Sequence, residues 1–106
     1  MAESDLDKSP SEAEDRPIRL AVLEDAATVV SGAREATYGG PEQSFGTIAD
    51  LWSVYLGCCL APYDVAAMLA LLKLARIKHS RGSHRDSWVD LAGYAACGAE
   101  CVGKKE

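Results

Sequence analysis

Phenylalanine occurs once and tryptophan twice among 106 residues, so the core has to be built mostly from Ala, Leu and Val. A chain of this length folds as one domain at most and buries a smaller share of its surface than a large protein does. Long apolar runs are missing too. None approaches the roughly 18 residues that cross a bilayer, and the acidic N-terminus lacks the apolar segment of a secretory signal. Both absences predict a cytoplasmic protein with no membrane contact, whose four cysteines stay reduced. No segment joins β-branched residues to strict alternation, which predicts no sheet, and there is no internal repeat. Nor is there a Walker loop, a dinucleotide fingerprint or an ordered Ser-His-Asp set.

Positive charge is also scarce. The net charge is −5. Residues 1–16 carry six acids against Lys8 and Arg16, and the other ninety residues are nearly balanced, with ten acids and nine bases. No basic surface fit for duplex nucleic acid follows from this. The acidic segment 1–16 has too few apolar residues to order itself and is expected to be a disordered tail. A single helical domain is expected over 17–103.

What is present is helical periodicity. Residues 18 to about 37 place Leu20, Leu23, Ala27, Val30 and Ala33 or Arg34 on one stripe, and Tyr38-Gly39-Gly40-Pro41 ends that helix. A second helix, from about 41 or 44 to 56, carries Phe45, Ile48, Ala49, Trp52, Tyr55 and Leu56 at the same period. Gly57 closes it. A third starts at Pro62, a good first helical residue because its missing N–H has no intrahelical role, and reaches about 77 or 78. Ser83-x-x-Asp86 has the form of a capping box, predicting a fourth helix from there to about 102 with Trp88, Leu91, Ala92, Ala95 and Ala99 on its apolar stripe. The fold class is all-α, a four-helix bundle-like domain.

The chemistry concentrates in the second half. Residues 65–72 are unbroken apolar sequence, yet Lys73 and Arg76 follow at once. A lysine among apolar residues must snorkel or pair. A short loop makes the third and fourth helices antiparallel neighbours, so Asp90 or Asp86 is the expected partner. The other reading gives Lys73, Arg76 and Arg85 to a phosphate, which Arg grips with a fork and Lys with a point charge. Asp86 and Asp90 stand one turn apart on one helix face. They either cap and pair locally or, with Asp64 as a further ligand, hold Mg²⁺ against phosphate oxygens. The stretch Lys78-His79-Ser80-Arg81-Gly82-Ser83-His84-Arg85 is the basic cluster of the chain and leads into a helix N-terminus; it is either a phosphate site, which such a terminus favours, or a solvated loop, the commoner case. Cys58-Cys59 and Cys97-x-x-x-Cys101, with His79 and His84, match no closed zinc site and read as small apolar fillers.

Several blocks of this sequence resemble a family. Arg34-x-x-x-Tyr38-Gly39-x-Pro41, Phe45-x-x-Ile48-Ala49-x-x-Trp52, Asp64-Val65-Ala66, Lys73-Leu74-Ala75-Arg76 and Arg85-Asp86-x-x-Val89-Asp90-x-Ala92-Gly93-Tyr94 look like an uncharacterised small helical domain common in phage and prophage genomes. The resemblance covers about residues 24–100. It implies a phage-infected or prophage-bearing bacterial cell. More distantly the chain is similar to the all-α nucleoside triphosphate pyrophosphatases of the MazG kind, which are oligomeric and Mg²⁺-dependent. Where those carry Glu-Glu-x-x-Glu and Glu-x-x-Asp, this chain has Glu24-Asp25 and the Asp86/Asp90 pair. That likeness implies a nucleotide pyrophosphohydrolase, with Asp86 and Asp90 catalytic, Asp86, Asp90 and Asp64 on the metal, Lys73, Arg76 and Arg85 on phosphate, and a homo-oligomer. The alternatives are a non-catalytic nucleotide-binding or sequestering module, and a helical interaction module whose polar residues are structural.

Overall fold

The computed structural model describes residues 16–31 and 40–103, which form four α-helices and no strand among the described residues. They are α1 (Ile18–Val30), α2 (Pro41–Leu56), α3 (Pro62–His79) and α4 (Arg85–Gly103). The all-α expectation is met. The acidic tail lies almost wholly outside the described residues, as do Arg34 and Tyr38.

α4 is the hub, touching all three other helices, with its largest contact on α3. Among the described residues α1 meets α4 alone. The hub role follows from size. α4 turns Gly93 and Gly98 toward its neighbours, and a Cβ built on Gly98 would lie 3.0 Å from the Ala66 Cβ on α3. On Gly93 it would lie 3.3 Å from Val30 Cγ1 of α1. Close approach of helix axes needs small residues at the crossing, and α4 supplies them to two partners. The core proper joins Phe45 and Ala49 of α2 to Val65 and Ala66 of α3, with Ile48, Trp52, Leu60, Leu69, Tyr94, Cys97 and Cys101 packed around it. Burial raises the Cys101 thiol above its ordinary pKa, and Glu42, Cys97 and Glu100 push the same way. That keeps it a neutral filler.

Periodicity located the helices more accurately than their inward faces. α1 buries Ala26, with Val22 and Val30 half-buried on the same line, whereas Leu20, Leu23 and Ala27 are exposed. α4 buries Ser87, Val89 and Gly93, and leaves the expected Trp88, Ala95 and Ala99 outside. In both helices the smaller side wins, because a crowded crossing excludes bulk. On α2 the stripe holds from Phe45 to Trp52 and then fails: Leu56 is exposed and Tyr55 is 88% exposed.

The ends differ in detail as well. α1 ends at Val30, where Ser31 is extended and its hydroxyl donates to the Ala27 carbonyl at 2.8 Å; the expected continuation over 32–37 lies outside the described residues. After α2, Gly57 takes the left-handed conformation, and the N–H groups of Gly57 and Cys58 both close on the Ser53 carbonyl. The Ser53 hydroxyl accepts from Leu60 N–H at 2.9 Å and so fixes the turn into α3. There Asp64 accepts from the Ala61 N–H at 2.8 Å. The capping box read at Ser83-x-x-Asp86 does not form. α4 starts at Arg85, and the Ser83 hydroxyl is turned back onto the Ser80 carbonyl at 2.8 Å.

What occupies that corner instead is a Schellman closure: Gly82 N–H to Ile77 carbonyl at 2.8 Å and Arg81 N–H to Lys78 carbonyl at 3.0 Å. Its left-handed residue is Arg81, with φ of 58°. A Cβ in that region costs roughly 1 kcal/mol that Gly does not incur. Arg81→Gly is therefore expected to stabilise the protein by about 0.5 kcal/mol, once the greater freedom of Gly in the unfolded chain is subtracted. Urea titration reads this directly, and a loss of stability would show that the Arg81 side chain contributes something the backbone does not.

Candidate functional site at the α3–α4 corner

The antiparallel pairing of α3 and α4 sorts the candidate residues into separate roles. Lys73 sits on the inward side of α3 and is only 8% exposed. Its Nζ lies 2.8 Å from Asp90 Oδ2 on α4, the partner expected from the loop length. One turn later Arg76 is exposed. The two bases thus point to different places although they are three residues apart. Arg85, first residue of α4, turns away to α1, with Nη1 2.6 Å from Asp25 Oδ2. Asp86 is exposed in the first turn of α4. Asp64 stands in the first turn of α3, at the end of that helix remote from the α3–α4 loop. At 1.5 Å per residue it is roughly 20 Å from the level of Ile77. Asp64, Asp86 and Asp90 therefore do not converge, and no three His, Cys, Asp or Glu side chains among the described residues gather closely enough to share a metal ion.

The loop between these helices is held from several sides. The Trp88 indole N–H donates to the Gly82 carbonyl at 3.0 Å. The Ser80 hydroxyl donates to the Ile77 carbonyl and accepts from His84 N–H. Ser87, with no exposed surface, places its hydroxyl 2.6 Å from His84 Nδ1, and its own N–H donates to the His84 carbonyl at 3.1 Å. The buried hydroxyl finds its partner there, and the imidazole is held at the helix entrance.

Between loop and helix ends lies an open recess of about 600 Å³ lined by Ala75, Arg76, His79, Ser80, Ser83 and His84. One guanidinium, two imidazoles and two hydroxyls make up its polar lining, which contains no carboxylate. The lining thus carries one formal positive charge, Arg76, and no negative one, in a domain that is otherwise nearly balanced. Of the proposed phosphate ligands only Arg76 lines the recess; Lys73 and Arg85 each face a carboxylate elsewhere. The sequence leaves the basic loop open as a phosphate site or a solvated loop and does not single out His79, Ser80, Ser83 and His84 as a lining. Their clustering between two helix ends was the signal, and only the Schellman turn, which folds Ser80 and Ser83 back together, decides which of them share a wall.

Comparison with known proteins finds relatives of this chain. A family described as "Domain of unknown function (DUF6378)" matches residues 21–102. The "Gene 55 protein" of Mycobacterium phage D29 is 45% identical over 76 residues, covering 72% of this chain and 50% of that protein. Its counterpart in Mycobacterium phage L5 is 40% identical over 77 residues, covering 72% and 49%. The chain thus spans about half the length of the curated relatives it matches. No solved structure matches it.

Proposed function

Because the chain belongs to the DUF6378 family, whose description names no activity, its own geometry has to carry the reading, and we propose that it binds a phosphate-bearing small molecule of the nucleotide class in the α3–α4 recess. The observation that carries this is the carboxylate-free lining of Arg76, His79, Ser80, Ser83 and His84. Its volume of about 600 Å³ suits a nucleotide-sized ligand. Arg76 supplies the fork for phosphate oxygens, and the imidazoles of His79 and His84 stand beside it in the lining. The module works in the cytoplasm of a phage-infected or prophage-bearing bacterial cell, a setting consistent with its mycobacteriophage relatives.

Binding fits these residues better than magnesium-dependent pyrophosphohydrolysis. Two-metal phosphoryl chemistry needs several carboxylates around one point. Here Asp64 is at the far end of α3, Asp90 presents an oxygen to Lys73 at 2.8 Å and Asp25 presents one to Arg85 at 2.6 Å, so no three carboxylates among the described residues gather at one point. A dication at Asp90 would stand beside the Lys73 ammonium, 2.8 Å from that carboxylate, and the like charges would repel. The set does not fit Mg²⁺ as a resident group, and no catalytic step is assigned. A second reading, a helical interaction module, is favoured by the exposed Leu51, Val54 and Tyr55 on α2 and Tyr63, Leu71 and Leu74 on α3. It is compatible with ligand binding, since none of these residues lines the recess.

Isothermal titration with ATP and with inorganic pyrophosphate tests the proposal. Both are expected to bind without added Mg²⁺. Arg76→Ala weakens binding at least tenfold, equivalent to about 1.4 kcal/mol. Stability stays unchanged, because Arg76 is exposed. Arg85→Ala leaves affinity within twofold. No heat with either ligand, or equal affinity in the Arg76 variant, overturns it.

A further inference from the structure

We propose that a second copy of this chain packs on the outward side of α3, antiparallel to it, about a two-fold axis that passes between Ala70 and Leu71. α3 is apolar on both sides. Inward it buries Val65, Ala66 and Ile77. Outward, Tyr63, Ala67, Leu71 and Leu74 recur at helical spacing, and the large ones are 52%, 63% and 44% exposed. A helix that is apolar all round is covered all round in the working protein, and an apolar stripe of this kind marks an interface.

Why a second copy, and why antiparallel, follows from the charges at the ends of the stripe. α3 has Asp64 in its first turn and Arg76, Lys78 and His79 in its last. Asp64 and Lys78 border the outward stripe. A two-fold axis between residues 70 and 71 sets Tyr63 and Asp64 of one copy beside Lys78 of the other, and Ala67 beside Leu74. Opposite charges then meet at both ends and the two helix dipoles oppose. A parallel pairing puts like charge on like charge at each end. The small Ala67 and Ala70 near the middle let the two helices approach to the roughly 8–10 Å of a packed pair. The surface is self-complementary, as an isologous interface must be. It does not involve the recess residues, so it stands or falls separately from ligand binding.

Sedimentation velocity at micromolar concentration is expected to show a dimer, and Leu71→Glu a monomer with the same far-UV circular dichroism, since Leu71 makes no core contact to lose. Geometry is read by a short bismaleimide in a background with Cys58→Ser and Cys59→Ser. Leu71→Cys cross-links to itself, because the two positions face each other near the axis. Tyr63→Cys does not, since the two copies of residue 63 stand roughly 22 Å apart along the axis at 1.5 Å per residue. A mixture of Tyr63→Cys with Lys78→Cys cross-links to a heterodimer. A monomeric parent protein across the micromolar range, a dimer that survives Leu71→Glu, or self-linking of Tyr63→Cys each overturns the proposal.

Discussion

Asp90→Asn is expected to destabilise the protein by about 3 kcal/mol, whereas Lys73→Met costs only about 1 kcal/mol, although both remove the same ion pair. The asymmetry comes from unequal burial. The Lys73 side chain is 11% exposed and that of Asp90 is 34% exposed. Removing the carboxylate strands an ammonium between α3 and α4 with little water to replace its partner, the costly case of an unpaired buried charge. Removing the ammonium leaves a carboxylate that already reaches solvent and rehydrates, so the loss is discounted. Met also keeps the apolar stem of Lys73 packed. The double variant Lys73→Met/Asp90→Asn recovers most of the larger loss, and the cycle isolates the coupling. For a domain of this size the Asp90 change lowers Tm by roughly 15 °C. Two losses within 0.5 kcal/mol of zero would instead describe a solvated pair, in the range of surface ion pairs. Nucleotide affinity is a separate readout. Lys73→Met leaves it unchanged, because Lys73 does not line the recess.

Which parts of this were legible in the sequence is clearest from Lys73 and Arg76. A lysine after an eight-residue apolar run has to pair, and a short loop fixes which helix provides the acid; both steps are local, and the 2.8 Å contact to Asp90 follows them. Spacing did not separate Arg76 from Lys73, because three residues on a helix mean neighbouring positions but not a common neighbour across the interface. The long-range pair from Arg85 to Asp25 was out of reach for a related reason: nothing local says that α1 crosses the start of α4. Inward faces were misjudged where bulk was taken as the sign of burial. Ala26 and Gly93 are buried while Leu23 and Trp88 are exposed, because at a close crossing the space left, not hydrophobicity, selects the residue. Large apolar side chains are left over on α2 and α3 as a consequence, and those on the outward side of α3 are what a second copy would cover.

Gly98→Val carries the largest expected packing penalty, about 3 kcal/mol. Gly98 lies where α4 crosses α3, and a Cβ there would be 3.0 Å from the Ala66 Cβ. That neighbour is the first atom of a side chain fixed to a helix backbone, so it has no rotamer by which to yield. Two further methyls of Val force the helices apart, which loosens Val65, Ile77 and Val89 and stretches the Lys73–Asp90 pair that spans the same interface. A real gain opposes this, because Val is the better helix residue than Gly by a few tenths of a kcal/mol. Gly46 on α2 measures that gain alone, since a Cβ built there meets nothing within 4 Å. Gly46→Val is accordingly neutral or slightly stabilising, and the difference between the two substitutions is the steric cost. Ala66→Gly in the Gly98→Val background removes the opposing methyl and restores about 1 kcal/mol, even after the added Gly weakens α3. Urea denaturation of the four proteins decides it. Equal stability of Gly98→Val and Gly46→Val would mean that α3 and α4 pass farther apart than the Ala66 contact requires.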